Sequence, residues 1–125
     1  MDIILHPGAH RTGTTTFQSY LRGAEGALTA QGLLAWEPRR TRKGLFHGLL
    51  DPPACGCPTG RAEGRMRLAT ASATRQGATA LIVSEENMLG TPRAGLRAQA
   101  LYPDAATRLA RVGAAQLAGQ ERVVE

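Results

Sequence analysis

The sequence predicts an α/β domain built on a central parallel sheet, and three observations carry that prediction. Two short apolar runs, Ile3-Ile4-Leu5 and Thr79-Ala80-Leu81-Ile82-Val83, read as buried strands, because a strand covered on both faces shows no polar alternation. Segments with apolar residues at helical spacing lie between and after these runs. Proline and glycine mark the boundaries, so strands alternate with helices, and the crossovers that join them make neighbouring strands parallel. About three strands are expected.

The first strand, Ile3 to Leu5, stops at Pro7-Gly8 and passes into a loop. From Thr14 a helix is expected, because Phe17, Leu21, Ala24 and Leu28 recur on one face while Gln18, Arg22 and Glu25 fall on others. Gly32 stands where a C-terminal glycine would end it. Gly32 to Trp36 reads as a short extended return, with Trp36 in the core or at its rim. The basic run Arg39-Arg40-Thr41-Arg42-Lys43 reads as a solvated face, with steering of an acidic acceptor as its functional alternative. Leu45 to Leu50 reads as one or two helical turns around a structural His47, and residues 51–60 as a loop by their proline and glycine content.

A helix from about Arg61 to Gln76 places Ala62, Met66, Ala69 and Ala73 on one face, with Gly77 behind it. It leads into the second strand, which ends at Ser84-Glu85-Glu86-Asn87. After Gly90-Thr91-Pro92 the chain re-enters helix, most clearly from Pro103 through Ala105, Leu109 and Val112 to a stop near Gly119. Arg122-Val123-Val124-Glu125 reads as a strand that has only begun. The sheet is therefore expected to be incomplete at that end, with an open edge that favours self-association or a partner strand.

At 125 residues the chain fits one domain, residues 1–125, and 42% hydrophobic with only 4% aromatic residues implies a core of Ala, Leu, Val and Ile. No run of about 18 apolar residues occurs, and Met1 to His6 lacks the basic and long apolar regions of a secretory signal, so no membrane partner is expected. Cys55 and Cys57 are too close for a mutual disulfide and too few for a zinc site, so no metal is expected and the compartment reads as the cytoplasm. Fifteen basic against ten acidic residues give +5, which favours anionic partners. Lys43 is the only lysine, and arginine is the cation that grips an oxyanion through two donors at once.

The stretch between the first strand and first helix carries the chemistry. In Gly8-Ala9-His10-Arg11-Thr12-Gly13-Thr14-Thr15, two glycines five apart let the backbone curl around an anion, and the amides that follow open a helix N-terminus towards it. The glycine frame matches a nucleotide-binding P-loop, but Thr14 stands where an ATP- or GTP-binding loop carries Lys. The cation sits inside the loop instead, at Arg11. His10 reads either as a donor to the ligand or as an ordinary loop histidine, and His6 reads as structural.

Arg11-Thr12-Gly13-Thr14-Thr15 resembles the Lys-Thr/Ser-Gly-Thr-Thr loop of sulfotransferases, and the longer His6-Pro7-Gly8-Ala9-His10-Arg11-Thr12-Gly13-Thr14-Thr15-Thr16-Phe17-Gln18 resembles the bacterial branch of that family. Leu81 to Asn87 is similar to the family's strand that ends in Ser and Glu ahead of the substrate cleft, and Tyr102-Pro103-Asp104 to a later helix start. The resemblance implies a P-loop NTPase-like three-layer sandwich of which this chain is the N-terminal part. It implies 3′-phosphoadenosine-5′-phosphosulfate (PAPS) as cofactor, cradled by Gly8, His10, Arg11, Thr12, Gly13, Thr14 and Thr15. The implied activity is transfer of a sulfuryl group to an acceptor hydroxyl or amine, with Arg11 meeting the developing charge. Glu86, or beside it Glu85, is the candidate base, because strand-end carboxylates in an open α/β sheet lie at the edge where ligands bind. In the family an Arg and a Ser beyond the next strand hold the 3′-phosphate, and no such residues follow here.

Two other classes fit parts of the pattern. A P-loop kinase or NTPase would use the same loop with an acidic, metal-binding strand end, although Thr14 replaces its lysine. A non-catalytic anion- or nucleic-acid-binding module would combine the loop with the Arg39 to Lys43 run. The scarcity of aromatic side chains for base stacking makes nucleic acid the weaker partner.

Overall fold

A computed structural model describes the backbone of residues 1–50 and 60–124, and their side chains up to residue 118. The expected loop at 51–60, with Cys55 and Cys57, lies outside the described residues except for Gly60. Three parallel strands, β1 (Asp2–His6), β2 (Leu33–Trp36) and β3 (Ala80–Ser84), form one sheet in the order β1-β3-β2. The first and last of the expected runs are β1 and β3, and the short return is the third strand. In register, Ile3, Leu5 and His6 lie opposite Leu81, Val83 and Ser84, while Leu34 and Trp36 lie opposite Leu81 and Val83 from the other side.

Alternation along the strands sorts the two faces. On one face Leu81, Val83 and Trp36 join Met66 and Ala73 of helix α4 (Gly60–Arg75) and Val112 and Ala115 of α6 (Ala105–Val124) in the core. On the other, the His6 ring meets Phe17 of α1 (Thr14–Gly23) at 4.5 Å between centroids, and Gln18 of the same helix reaches Ser84. Helices therefore flank the small parallel sheet on both faces. Cover is thinner at the β1 edge, where Ile4 remains 51% exposed.

The helix expected from Thr14 to Gly32 is two helices, α1 and α2 (Glu25–Ala30), parted at Ala24 with ψ near 8°. Gly23 and Gly26 flank that break, and glycine inside a helix weakens it by conformational entropy. Gly32 ends the pair as expected, in a left-handed conformation with φ of +76°.

The basic run is not simply a solvated face. It forms a short helix, α3 (Pro38–Arg40), and a π turn (Thr41–Leu45), closed by Phe46 N–H donating to the Thr41 carbonyl at 3.0 Å. This turn buries Thr41 and Phe46, points Arg42 at the end of β3, and leaves His47 exposed rather than packed in an apolar turn. The guanidinium of Arg40 lies over buried Trp36, 5.1 Å from the ring centroid.

After β3 come a single turn (Glu86–Met88), α5 (Pro92–Ala98) and α6. Arg108 of α6 donates to the Asn87 carbonyl at 2.7 Å and, with Arg111, to the Leu50 carbonyl, which ties the segments after β2 and β3 together. The expected stop at Gly119 and strand from Arg122 are replaced by helix to Val124. A helix closes its own hydrogen bonds turn by turn, whereas a strand needs a neighbour, and the modest helix penalty of two valines does not outweigh that. Among the described residues no helix is long and apolar enough to cross a membrane.

Candidate functional site

The loop between β1 and α1 leaves the sheet at its carboxyl edge and turns three times through left-handed backbone, at Gly8 (φ +50°), Arg11 (φ +67°) and Gly13 (φ +81°). Gly8 is required for space as well as for φ: a Cβ there would stand 2.4 Å from Thr14 Oγ1 and 3.3 Å from the His6 ring. Gly13 has open space around it and is required for φ alone. Arg11 holds this conformation without being glycine, at a cost of roughly 1 to 2 kcal/mol. Strain of that kind collects at ligand-binding turns.

Two contacts close the loop on itself, Thr12 N–H and Thr12 Oγ1 both donating to the Ala9 carbonyl at 3.3 and 2.6 Å. The Gly13 carbonyl starts α1 by accepting from Thr16 and Phe17. The amides of Arg11, Gly13, Thr14 and Thr15 donate to no described residue. Thr14 is 93% buried, with 7% exposure, yet its Oγ1 has no hydrogen-bond partner, while the Arg11 side chain is exposed and in no ion pair among the described residues. Unspent donors, one cation and the N-terminus of a ten-residue helix thus meet at one turn.

The loop is braced from far along the chain. Tyr102, just before α6, accepts from the His10 amide through its hydroxyl at 3.0 Å and meets His10 Nδ1 at 3.0 Å, with the two rings stacked. His10 is therefore more than an ordinary loop histidine. Tyr102 thus holds both the backbone and the ring of His10 beside the anion-facing turn.

The two glutamates after β3 occupy different surroundings. Glu85 is 1% exposed, and its carboxylate accepts from Thr41 Oγ1 (2.6 Å), Arg42 Nε (3.1 Å), a terminal Arg42 nitrogen (2.7 Å) and Asn87 N–H (3.1 Å). It is an anchor for the π turn. Glu86 is partly exposed; one oxygen accepts from Arg42 at 2.8 Å and the other from Gln18 at 2.9 Å. Burial pushes the Glu86 carboxyl up, but the hydrogen bonds from Gln18 and Arg42 and the Arg42 charge outweigh it, so Glu86 lies below its ordinary value. Arg42 is held above its ordinary value, chiefly by its hydrogen bond to Glu85 against the opposing effect of burial. His6 Nδ1 meets Ser84 Oγ at 3.0 Å, and Gln18 joins Ser84 to Glu86.

The residues expected at the site therefore fall into one compact loop, residues 8–15, and one glutamate pair joined to it through Gln18 of α1. Arg42, Gln18 and Tyr102 are participants to which the residue patterns assign no part in the site. Arg42 sits in a run of cations with nothing to distinguish it, and Tyr102 is 92 residues from the histidine it holds. Among the described residues no group of three His, Cys, Asp or Glu side chains is placed to hold a metal ion. Set against protein family models, curated proteins and solved structures, the chain matches none.

Proposed function

We propose that the loop from Gly8 to Thr15 binds the phosphosulfate end of PAPS, and that the chain is the N-terminal part of a sulfotransferase-like domain of the P-loop NTPase-like three-layer type. The observation that carries this reading is the set of four uncommitted amides at Arg11, Gly13, Thr14 and Thr15 beside an unpaired Arg11. Successive amides in a turn that mixes right- and left-handed residues form a concave anion seat. The group fits the residues present: Thr14 Oγ1 is a buried polar atom awaiting a partner, and the side-chain-free face of Gly8 keeps that hydroxyl in place.

When bound, PAPS supplies a sulfuryl group whose passage to an acceptor hydroxyl or amine breaks the sulfur–oxygen bond to phosphate and releases the acceptor's proton. The chain's own residues then have separable tasks. The loop amides and Arg11 bear the negative charge of the terminal oxygens, with His10 held beside them by Tyr102. Glu86 is ionised at neutral pH and partly exposed, so it receives the acceptor's hydrogen bond and orients it. Its lowered basicity makes it a better orienting group than a proton store, so the acceptor's proton passes on to solvent at this partly exposed carboxylate. Glu85, with all its acceptor positions engaged, holds Arg42 and has no direct part in the reaction. Two cysteines separated by one residue suit a reducing compartment, which supports a cytoplasmic reading. A kinase-like reading gains no support, since Thr14 occupies the lysine position and both strand-end carboxylates are engaged by Arg42.

The test is calorimetric titration with adenosine 3′,5′-bisphosphate, the desulfated product, beside ATP. Binding of the bisphosphate that weakens about tenfold to a hundredfold in Arg11→Ala is expected, the loss of one charge-assisted contact. A folded chain that binds neither nucleotide, or binds equally well without Arg11, overturns the reading.

A further inference from the structure

A second cationic feature lies outside the loop. Arg39, Arg40, Lys43 and His47, from the segment after β2, and Arg65, from α4, line an open groove of about 580 Å³ with no acidic side chain among its described lining residues. The ion pairs among the described residues are Arg22–Glu37, Arg42–Glu85 and Arg42–Glu86, so none of these groove cations is paired with a described carboxylate. We propose that this groove is a binding site for a small polyanion, a molecule with two or more phosphate, sulfate or carboxylate groups. The site stands apart from the reading of the Gly8 to Thr15 loop.

Three features favour a built site over a charged surface. The backbone that carries the cations is fixed, because Thr41 and Arg42 are bonded to Glu85 and Phe46 is buried in the core. Arg40 is held over Trp36, and Arg65 donates to the His47 carbonyl, so both walls are joined and two of the guanidinium groups are ordered before any ligand arrives. Preorganised cations lose less conformational freedom on binding. Left without an anion, the like charges of Arg39, Arg40, Lys43 and Arg65 around one groove repel one another, and a bound anion relieves that repulsion.

The volume argues for the class of ligand. Small-molecule sites occupy about 300 to 1,000 Å³, and the groove falls in that range, well beyond the needs of a single phosphate. Single-stranded nucleic acid is bound through aromatic platforms as well as charge. No aromatic ring but the His47 imidazole is among the described residues that line this groove.

The experiment uses tripolyphosphate as probe, in a chain carrying Arg11→Ala so that the loop does not contribute, at about 0.15 M salt, where unspecific surface attraction is largely screened. Saturable one-site binding is expected, weakened about tenfold or more by Arg39→Ala with Lys43→Ala, both exposed residues whose replacement leaves the melting temperature in place. Removing equal charge at exposed Arg93 and Arg97 of α5 is expected to leave binding intact. Equal losses in the two double variants, no loss in either, or tighter binding of a single-stranded oligonucleotide than of tripolyphosphate overturns the proposal.

Discussion

Gly8 and Gly13 both carry positive φ, yet the reasons they are glycine differ, and the difference is measurable. At Gly13 an added Cβ meets nothing within 4 Å, so Gly13→Ala costs only the left-handed backbone, about 1 kcal/mol. At Gly8 the same substitution drives a methyl into Thr14 Oγ1 and Cγ2, which adds overpacking and brings the total to about 2 to 4 kcal/mol. Chemical denaturation of both variants should show the larger loss at Gly8. Equal losses would mean that Thr14 does not fill the space under the loop. The glycine frame and Arg11 are legible in the sequence because spacing and residue type alone specify an anion-binding turn. The roles of His10 and Glu85 are not legible at this scale. Each depends on a partner that the fold brings in from a distance, Tyr102 for one and Thr41 with Arg42 for the other.

At the scale of elements, β1, β3 and α4 follow from local pattern: continuous apolar runs for the strands, and Ala62, Met66 and Ala73 at helical spacing for α4, all buried. What escaped were the boundaries set by competition between structures. The break at Ala24 and the continuation of α6 through Val124 are decided by weak helix penalties against the presence or absence of neighbours. Helix α6 also buries a polar group without recompense: Gln116 is fully buried and neither atom of its amide has a hydrogen-bond partner. An unpaired buried amide is costly, so Gln116→Leu should raise stability by about 1 to 2 kcal/mol in urea unfolding. A loss of stability instead would mean that the amide is satisfied by water or by a residue outside the described set.

Across the whole molecule, the ends of the three strands are held together by one polar network. Arg42 follows β2, Glu85 and Glu86 follow β3, and Gln18 continues from the β1 loop. Removing Arg42 strands the buried Glu85 carboxylate with only Thr41 and Asn87 as donors. Arg42→Ala should cost about 2 to 4 kcal/mol, less than for a fully buried pair because Arg42 is half exposed. The network also sets an acid response. The folded-state pKa of Glu86 lies below its ordinary value of 4.5, so its contribution is fully present above about pH 4.5 and is lost as pH falls through the folded value. Glu86→Gln should flatten the fall in urea midpoint between about pH 5 and pH 3, and an unchanged slope would place the acid sensitivity elsewhere. This convergence of three segments at one edge is the part of the site that no single stretch of sequence announces. It also fixes where the loop sits, and the loop is the claim on which the functional reading rests. The most direct measurement is the amide nitrogen–proton spectrum of the labelled chain during addition of adenosine 3′,5′-bisphosphate. The largest shifts are expected at Arg11, Gly13, Thr14 and Thr15, with His10 following through Tyr102. Shifts confined to Arg39 through His47, or none at all, would contradict it.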